Sequence, residues 1–345
     1  METPPSVSII MPCFNAAHYL ADSVSALRAL EYAGAIELCM HDDASTDDTW
    51  AMLQSLTWTR GPLRISRSET NRGAGYARNC AIAASRGHLL CFNDADDVSL
   101  PRRLVEQVSC ITGMSENEDV LVGCRFVRDP PDATRHYAAF LNSLDDRGLV
   151  LKQYREVPLI LSTWLLSRRL WDNVGPFAES LAEDLDFFHR LMDVKGVRLR
   201  VACPSEALVV YRHSGGSLSS KTPRQLLVHL RVAAFERRVL VHEPWRSGFY
   251  IWGAGRDGRA FFAALRASVR ANVLGFFDVD ANKIKQGVHH ELVHPRVLPV
   301  YNAETDLTGK VPFVVCVRAQ ASSSSVALRT RAAGGAWTKR RRARG

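Results

Sequence analysis

Four short apolar runs punctuate the first third of the chain, at 7–11 (VSIIM), 36–40 (IELCM), 63–66 (LRIS) and 88–92 (HLLCF). Helical patterns lie between them. Residues 15–30 place Leu20, Val24 and Leu27 on one face, a second helix begins near Thr46, and a third spans 74–85. Ser45 and Asp48 have the spacing of a capping box for the second helix. Strands alternating with helices at this interval predict an α/β unit: a mostly parallel sheet with helices on both faces.

The rhythm changes after Asp97. Residues 104–111 read as a helix and 120–127 as a strand, 129–155 are irregular and polar, and order returns at 164–170, 185–192 and 208–212. An amphipathic helix over 224–241 joins this module to a second one. There a strand at 249–252 meets Gly253-Ala254-Gly255-Arg256-Asp257-Gly258, then a helix to about Val269, a strand at 273–277 ending on Asp278, and a last strand at 313–317. The expected division is 1–222, a helical linker 223–247, a small Rossmann-like βαβ module 248–318 and a basic tail 319–345 on which no structure is imposed.

Charge and hydropathy narrow the classes of function. The formal charge of +8 belongs to the tail: from Arg318 onward there are eight Lys or Arg and no acid, whereas the preceding residues hold 36 of each sign. The folded body therefore has no basic footprint for nucleic acid. No run approaches the roughly 20 apolar residues that cross a bilayer, and residues 1–6 resemble neither a signal peptide nor an anchor. The eight cysteines show no CxxC pair and several sit in apolar runs, as buried thiols of a reducing compartment do. A cytoplasmic location is expected.

The strongest chemical signal is Asn93-Asp94-Ala95-Asp96-Asp97, directly after the fourth strand. Open α/β sheets bind their ligands at the carboxyl ends of their strands. Three carboxylates there repel one another unless a hard divalent cation or hydrogen-bond donors compensate. An acidic turn capping the next helix is the competing explanation of that segment taken alone. Asp42 and Asp43 close the second strand on the same edge. Asn71-Arg72-Gly73-Ala74-Gly75-Tyr76-Ala77-Arg78-Asn79 opens the third helix with glycines that admit a ligand and arginines that suit a diphosphate; the alternative for Arg78 is a surface residue paired with one of those aspartates.

These blocks resemble family 2 glycosyltransferases of the GT-A fold. The resemblance runs through Ser8-Ile9-Ile10-Met11-Pro12-Cys13-Phe14-Asn15, the Asp42 and Asp94 blocks, Gly175-Pro176-Phe177, Glu183-Asp184-Leu185-Asp186-Phe187 and Tyr211-Arg212-His213-Ser214-Gly215-Gly216-Ser217. It covers about residues 6–220 in the family's order, and it implies the GT-A nucleotide-diphospho-sugar transferase fold for the first module.

The resemblance also implies roles. Pro12, Phe14 and Asn15 match the loop under the nucleotide base, and Asp42 and Asp43 the acidic pair that contacts uracil and ribose. Asn71, Arg78 and Asp94 complete the donor nucleotide site. Asp96, with His213, would bind Mn²⁺ or Mg²⁺, and Arg212 would reach the diphosphate. Asp184 matches the catalytic base. Its alternative as a sequence feature is a negative cap for the helix that follows. The implied activity is inverting, metal-dependent transfer of a sugar, N-acetylglucosamine for preference, from a UDP-sugar to a hydroxyl of a glycan, protein or small molecule. The absence of a Gln-x-x-Arg-Trp segment predicts a non-processive enzyme. A catalytically idle scaffold that binds nucleotide or glycan is the alternative.

In the second module, Gly253, Gly255 and Gly258 with Asp278 have the order of a dinucleotide-binding turn and its ribose-binding acid. The module is too short for a full two-half Rossmann domain, so a nucleotide site and a purely structural turn are both open there.

Overall fold

β1 (Val7–Cys13), flanked by parallel partners, is the axis of the first sheet. It pairs with β2 (Ile36–Asp42) on one side and β4 (Leu89–Phe92) on the other, and β3 (Leu63–Arg67) extends β2 in parallel. Every residue of β2 and β4 and all but one of β1 are buried. Helices on both faces explain why these strands read as unbroken apolar runs rather than alternating ones. The computed structural model describes residues 3–113, 118–155, 157–213, 221–290, 297–306, 309, 312–316 and 329–331.

Four further strands complete a sheet ordered β3-β2-β1-β4-β7-β6-β8-β5: β5 (Val98–Ser99), β6 (Val120–Asp129), β7 (Leu165–Ser167) and β8 (Arg198–Arg212). β7 is antiparallel to both β4 and β6, β5 is antiparallel to β8, and β6 and β8 are parallel. The sheet is mixed and mostly parallel, as the GT-A reading requires. β8 is longer than the segment expected at 208–212. Its register against β6 jumps from Cys124↔Ala202 to Arg125↔Ala207, with Cys203 at φ 44° inside the bulge. Bulges of this kind bend a strand and obscure its alternation.

Helix α1 (Ala17–Arg28) buries Leu20, Val24 and Leu27 as its pattern predicts. The predicted capping box does not form. α2 spans Thr49–Gln54, and Asp47 rather than Ser45 accepts from the Thr49 N–H (3.0 Å), while Ser45 Oγ accepts from Asn15 N–H (2.9 Å). α3 (Ala74–Ala84) and α4 (Arg103–Thr112) follow. The segment 129–155, expected to be irregular, holds α5 (Arg135–Asn142) and α6 (Asp146–Lys152). Each buries a single leucine, Leu141 or Leu149, too little periodicity to stand out in a polar sequence. α7 (Arg168–Val174) and α8 (Glu183–Leu191) complete the helices that bear on the site.

The chain divides into two compact units, Met1–Leu227 and Val228–Gly345, with the boundary inside the helix Arg224–Phe235. The second unit has its own sheet, in the order β11-β12-β10-β9-β13-β14. Its strands are β9 (Phe249–Trp252), β10 (Val273–Asp278), β11 (Val288–His290), β12 (Val297–Asn302), β13 (Phe313–Val315) and β14 (Arg329–Arg331). β12, β10, β9 and β13 are parallel neighbours and the two edges are antiparallel. The helix expected to run to Val269 breaks after Ala264, because the Arg266 N–H is donated to the buried Glu236 carboxylate (2.7 Å). β14 falls in the tail where no element was expected. The basic cluster 339–344 lies outside the described residues. All eight cysteines are free, and among the described residues no helix is long and apolar enough to cross a membrane.

Candidate functional site

The carboxyl ends of β1, β2 and β4 carry three short loops, and the first two are bonded to each other. After β1, Asn15 adopts φ 49° and its side-chain oxygen accepts from the Thr46 N–H (2.8 Å), tying this loop to the one after β2. In that second loop Ala44 is at φ 61°. Asp42 is fully buried and pairs with Arg67 (2.9 Å). Asp43 accepts from Ser68 Oγ (3.0 Å) and the N–H groups of Arg72 (3.0 Å) and Gly73 (2.7 Å), and Asn71 Nδ2 donates to its carbonyl (3.2 Å). Asp42, Asp43, Asn15 and Asn71 thus brace the rim from inside. Pro12 lies within β1, and Phe14 stands out from the rim, 49% exposed.

The loop after β4 gathers charge of one sign. Asp97 is fully buried, and its carboxylate accepts from the Arg212 N–H (3.0 Å). Burial first, and then Asp94 and Asp96, push its proton affinity well above the carboxylate range. Burial and then Asp94 raise Asp96 to about 6. Arg212 is the counterweight. It meets Asp22 (3.0 Å) and Asp129 (3.4 Å), and its Nη1 donates to the Asp96 carbonyl (3.4 Å). His213 follows it, its backbone N–H on the Asp129 carbonyl (2.8 Å). Ser214 and the rest of that motif lie outside the described residues. Among the described residues no group of three or more His, Cys, Asp or Glu is arranged to hold a metal ion unaided. The crowding of Asp94, Asp96 and Asp97 does fit a hard cation that takes its other oxygens from a bound diphosphate.

Asp184 faces this loop from the opposite side. It lies in the first turn of α8, entered through Ala182 at φ 62°, and it accepts from the Leu185 N–H (2.7 Å). Burial and then Glu183 raise it to about 6, with Asp94 adding and Arg78 opposing. Arg78 joins the two sides: Nη2 meets Asp94 (2.7 Å) and Nη1 meets Glu183 (2.6 Å). Helix α3 holds the incoming segment at further points. Asn79 exchanges two hydrogen bonds with the Phe177 backbone (2.9 Å each), and a Cβ on Gly75 would overlap the Ala178 carbonyl. Positive φ at Asn15, Ala44 and Ala182, none of them glycine, marks backbone held by its surroundings in the loops after β1 and β2 and at the entry to α8.

A buried polar network beneath the β4 loop escaped the sequence analysis. Arg103, fully buried, donates to the Phe92 carbonyl (2.7 Å), Asn93 Oδ1 (3.1 Å), Ser99 Oγ (2.8 Å) and Gln107 Oε1 (3.0 Å). Asn93 Nδ2 in turn donates to the Asp94 carbonyl (2.8 Å). The available signal was Arg103 and Gln107, four apart on the apolar face of α4.

In the second unit, Gly253, Gly255, Gly258 and Asp278 do meet at one turn. Gly253 is at φ 117°, and a Cβ on Gly258 would overlap its carbonyl. Asp278 accepts from the N–H groups of Ala254 (2.8 Å), Val279 (2.8 Å) and Asp280 (2.9 Å) and from Lys283 Nζ (3.0 Å). Burial raises its proton affinity, but these bonds outweigh that and hold it below the usual range.

Residues 8–175 match the family model described as Glycosyl transferase family 2. The Escherichia coli protein UDP-Glc:alpha-D-GlcNAc-diphosphoundecaprenol beta-1,3-glucosyltransferase WfgD is 35% identical over 103 residues, 30% of this chain and 40% of that one. The chain spans only 30% to 60% of the length of such curated relatives. Among solved structures, S. aureus TarS 1-349 in complex with UDP-GlcNAc aligns with a TM-score of 0.52 at 17% identity, covering 78% of this chain and 84% of that one. The mannosyltransferase PcManGT of Pyrobaculum calidifontis, in complex with GDP-Man and Mn2+, aligns with a TM-score of 0.51 at 18% identity, covering 69% and 65%. At these identities the structural likeness establishes the GT-A-type fold of the chain.

Proposed function

We propose, from the match of residues 8–175 to the Glycosyl transferase family 2 model, that the chain is an inverting, non-processive glycosyltransferase of that family that moves a hexose unit from a UDP-sugar to an acceptor hydroxyl. The observation that carries the reading is the meeting of Asp94 and Glu183, the chain neighbour of Asp184, from distant parts of the chain on one arginine at the carboxyl edge of the sheet. In the proposed reaction the acceptor oxygen attacks the anomeric carbon, its proton passes to the Asp184 carboxylate, and the bond to the diphosphate breaks on the opposite face. At neutral pH a carboxyl group that titrates near 6 is mostly ionised, and it is a better proton acceptor than an unperturbed aspartate. Phe14 would stack on the uracil, next to a rim braced by Asp42, Asp43, Asn15 and Asn71. Asp96, with His213 nearby, would hold Mn²⁺ or Mg²⁺, which supplies positive charge to the departing diphosphate when bound. Arg212 would support the same charge.

N-acetylglucosamine is the proposed sugar. It rests on a proposed sequence resemblance to vertebrate β-1,3-N-acetylglucosaminyltransferase-like proteins, and the UDP-GlcNAc complex of TarS is consistent with it. UDP release by the purified protein with UDP-GlcNAc, Mn²⁺ and a panel of acceptors tests the reading. Turnover that disappears in Asp184→Asn while UDP binding persists is the expected result. Equal turnover in that variant would remove the base assignment, and UDP binding without release under any donor and acceptor would favour an idle scaffold. Asp278 is already bonded four ways, so nucleotide binding at the Gly253–Gly258 turn would have to draw on the backbone of that turn.

A further inference from the structure

The reaction as proposed leaves Arg78 without a step. Resting on that reading, we propose that Arg78 is a positioning residue: its guanidinium holds the donor loop by Asp94 and the base-bearing helix by Glu183, and so fixes Asp184 relative to the donor. The family resemblance implies a contact to the nucleotide instead, and the alternative in the sequence is a surface ion pair with an aspartate. In the structure Arg78 is only 4% exposed, and each terminal nitrogen already meets a carboxylate, at 2.7 and 2.6 Å. Drawing either terminal nitrogen onto a diphosphate would leave a carboxylate unpaired in a desolvated site, which is strongly unfavourable, and the remaining nitrogen, Nε, is itself buried and without an acceptor. Its helix is built for fixation. One residue on, Asn79 grips the Phe177 backbone through both its N–H and its carbonyl side, and one turn earlier Gly75 admits the Ala178 carbonyl. The fork geometry of arginine suits two separate carboxylates in a way a lysine point charge does not.

Burial does most to set the protonation of Asp184; Glu183 on its own helix and Asp94 on the β4 loop raise it further, while the Leu185 N–H and Arg78 on α3 oppose them. Removing the arginine therefore has a consequence beyond geometry: it withdraws the positive charge that favours ionised Asp184. The full-length protein with ¹³C-carboxyl-labelled aspartate tests this, the Asp184 resonance being identified by its loss in Asp184→Asn. The expected result is a higher titration midpoint for Asp184 in Arg78→Gln, a lower one in Glu183→Gln, and a midpoint near wild type in Arg78→Lys. In UDP-release kinetics, Arg78→Gln should lower kcat on the order of 100-fold with donor KM nearly unchanged, the loss expected when a reacting group is displaced by about 1 Å. Arg78→Lys, which keeps the charge and loses the fork, should restore kcat only in part.

A raised donor KM with kcat preserved in Arg78→Gln would overturn the proposal in favour of a direct diphosphate contact. Should Arg78→Gln fail to fold, Glu183→Gln decides, and an unchanged midpoint and kcat there would also overturn it. The titration requires no turnover. If wild type releases no UDP from any donor, the transferase reading fails while the midpoints still judge the role of Arg78.

Discussion

Two aspartates occupy the same kind of place in the two units and behave in opposite ways. Asp278 ends a parallel strand beside a glycine turn, is satisfied by four donors and is held more acidic than usual. Asp96 lies just past the end of β4, also a parallel strand, and has no such surplus of donors; burial and Asp94 raise it to about 6. Asp184, across the cleft, is raised in the same way. A carboxylate that serves the fold is paid in hydrogen bonds, whereas one kept for a ligand or a proton retains part of its electrostatic cost. The first unit repeats the contrast internally, since Asp42 and Asp43 are bonded into the rim and Asp94, Asp96 and Asp97 crowd one another.

The largest expected break in this contrast is Asp184→Asn, which should lower turnover about 10³-fold, within the usual contribution of a positioned base. Its companion is the pH dependence. Turnover in the wild type should fall as pH drops through about 6, where Asp184 takes up a proton. Stability runs the other way. The folded midpoint lies above the unfolded one near 3.8, so the folded state binds more protons in that window and loses stability as pH rises through it. Asp184→Asn should therefore stabilise the fold at pH 7 by about 1 kcal/mol, after allowance for partial exposure, and not at pH 3. Chemical denaturation at the two pH values measures it.

Asp278→Ala should do the reverse. With Lys283 and three N–H groups left without their acceptor, unfolding free energy should fall by about 2–4 kcal/mol, read from denaturant unfolding of the full chain, with UDP release unaltered at temperatures below the transition. Because the folded Asp278 is more acidic than the unfolded one, its contribution is present above the unfolded midpoint and disappears as pH falls through the folded value. An unchanged unfolding curve in Asp278→Ala would mean that the four bonds do not stabilise the second unit.

Much of this was legible in the sequence, and the reasons differ by element. The buried parallel strands β1, β2 and β4 announce themselves because both faces are apolar, and the acids follow at their carboxyl ends. α5 and α6 were not legible, since a helix of eight or seven residues in a polar segment buries too few side chains to show a period. The roles within the site were harder still. Asp42, Asp43 and Asp94 look alike in sequence, and only the structure gives Asp42 an arginine, Asp43 a backbone nest and Asp94 a shared guanidinium. Arg103 was missed because a charged residue on an apolar helix face reads as an interruption, whereas here it is bonded to four neutral acceptors.

Gly75→Ala probes how far the base depends on its support. A methyl group there would press on the Ala178 carbonyl and lie close to Glu183 Cβ, so the segment leading into α8 must shift. A drop in kcat of about 10- to 100-fold is expected with UDP affinity nearly intact if, as proposed, the displaced group is the base and not part of the donor site. Isothermal titration with UDP and steady-state kinetics separate the two.

Phe14→Ala carries the smallest effect and isolates the donor side. Phe14 is 49% exposed at a rim where the neighbouring polar groups are bonded to one another. Its ring is therefore the surface most available to a flat, apolar ligand face. Stacking of a base on an aromatic side chain is worth about 1–3 kcal/mol by alanine substitution, with the lower end expected for a half-exposed ring. Donor KM should rise about 5-fold with kcat preserved, and the fold should be little disturbed because Phe14 lies half-exposed at the rim rather than in the core. Phe14→Tyr should restore the affinity. If instead kcat fell and KM held, Phe14 would belong with the groups that orient the reacting atoms, and the division of the cleft into a donor-gripping rim and a proton-accepting wall would have to be redrawn.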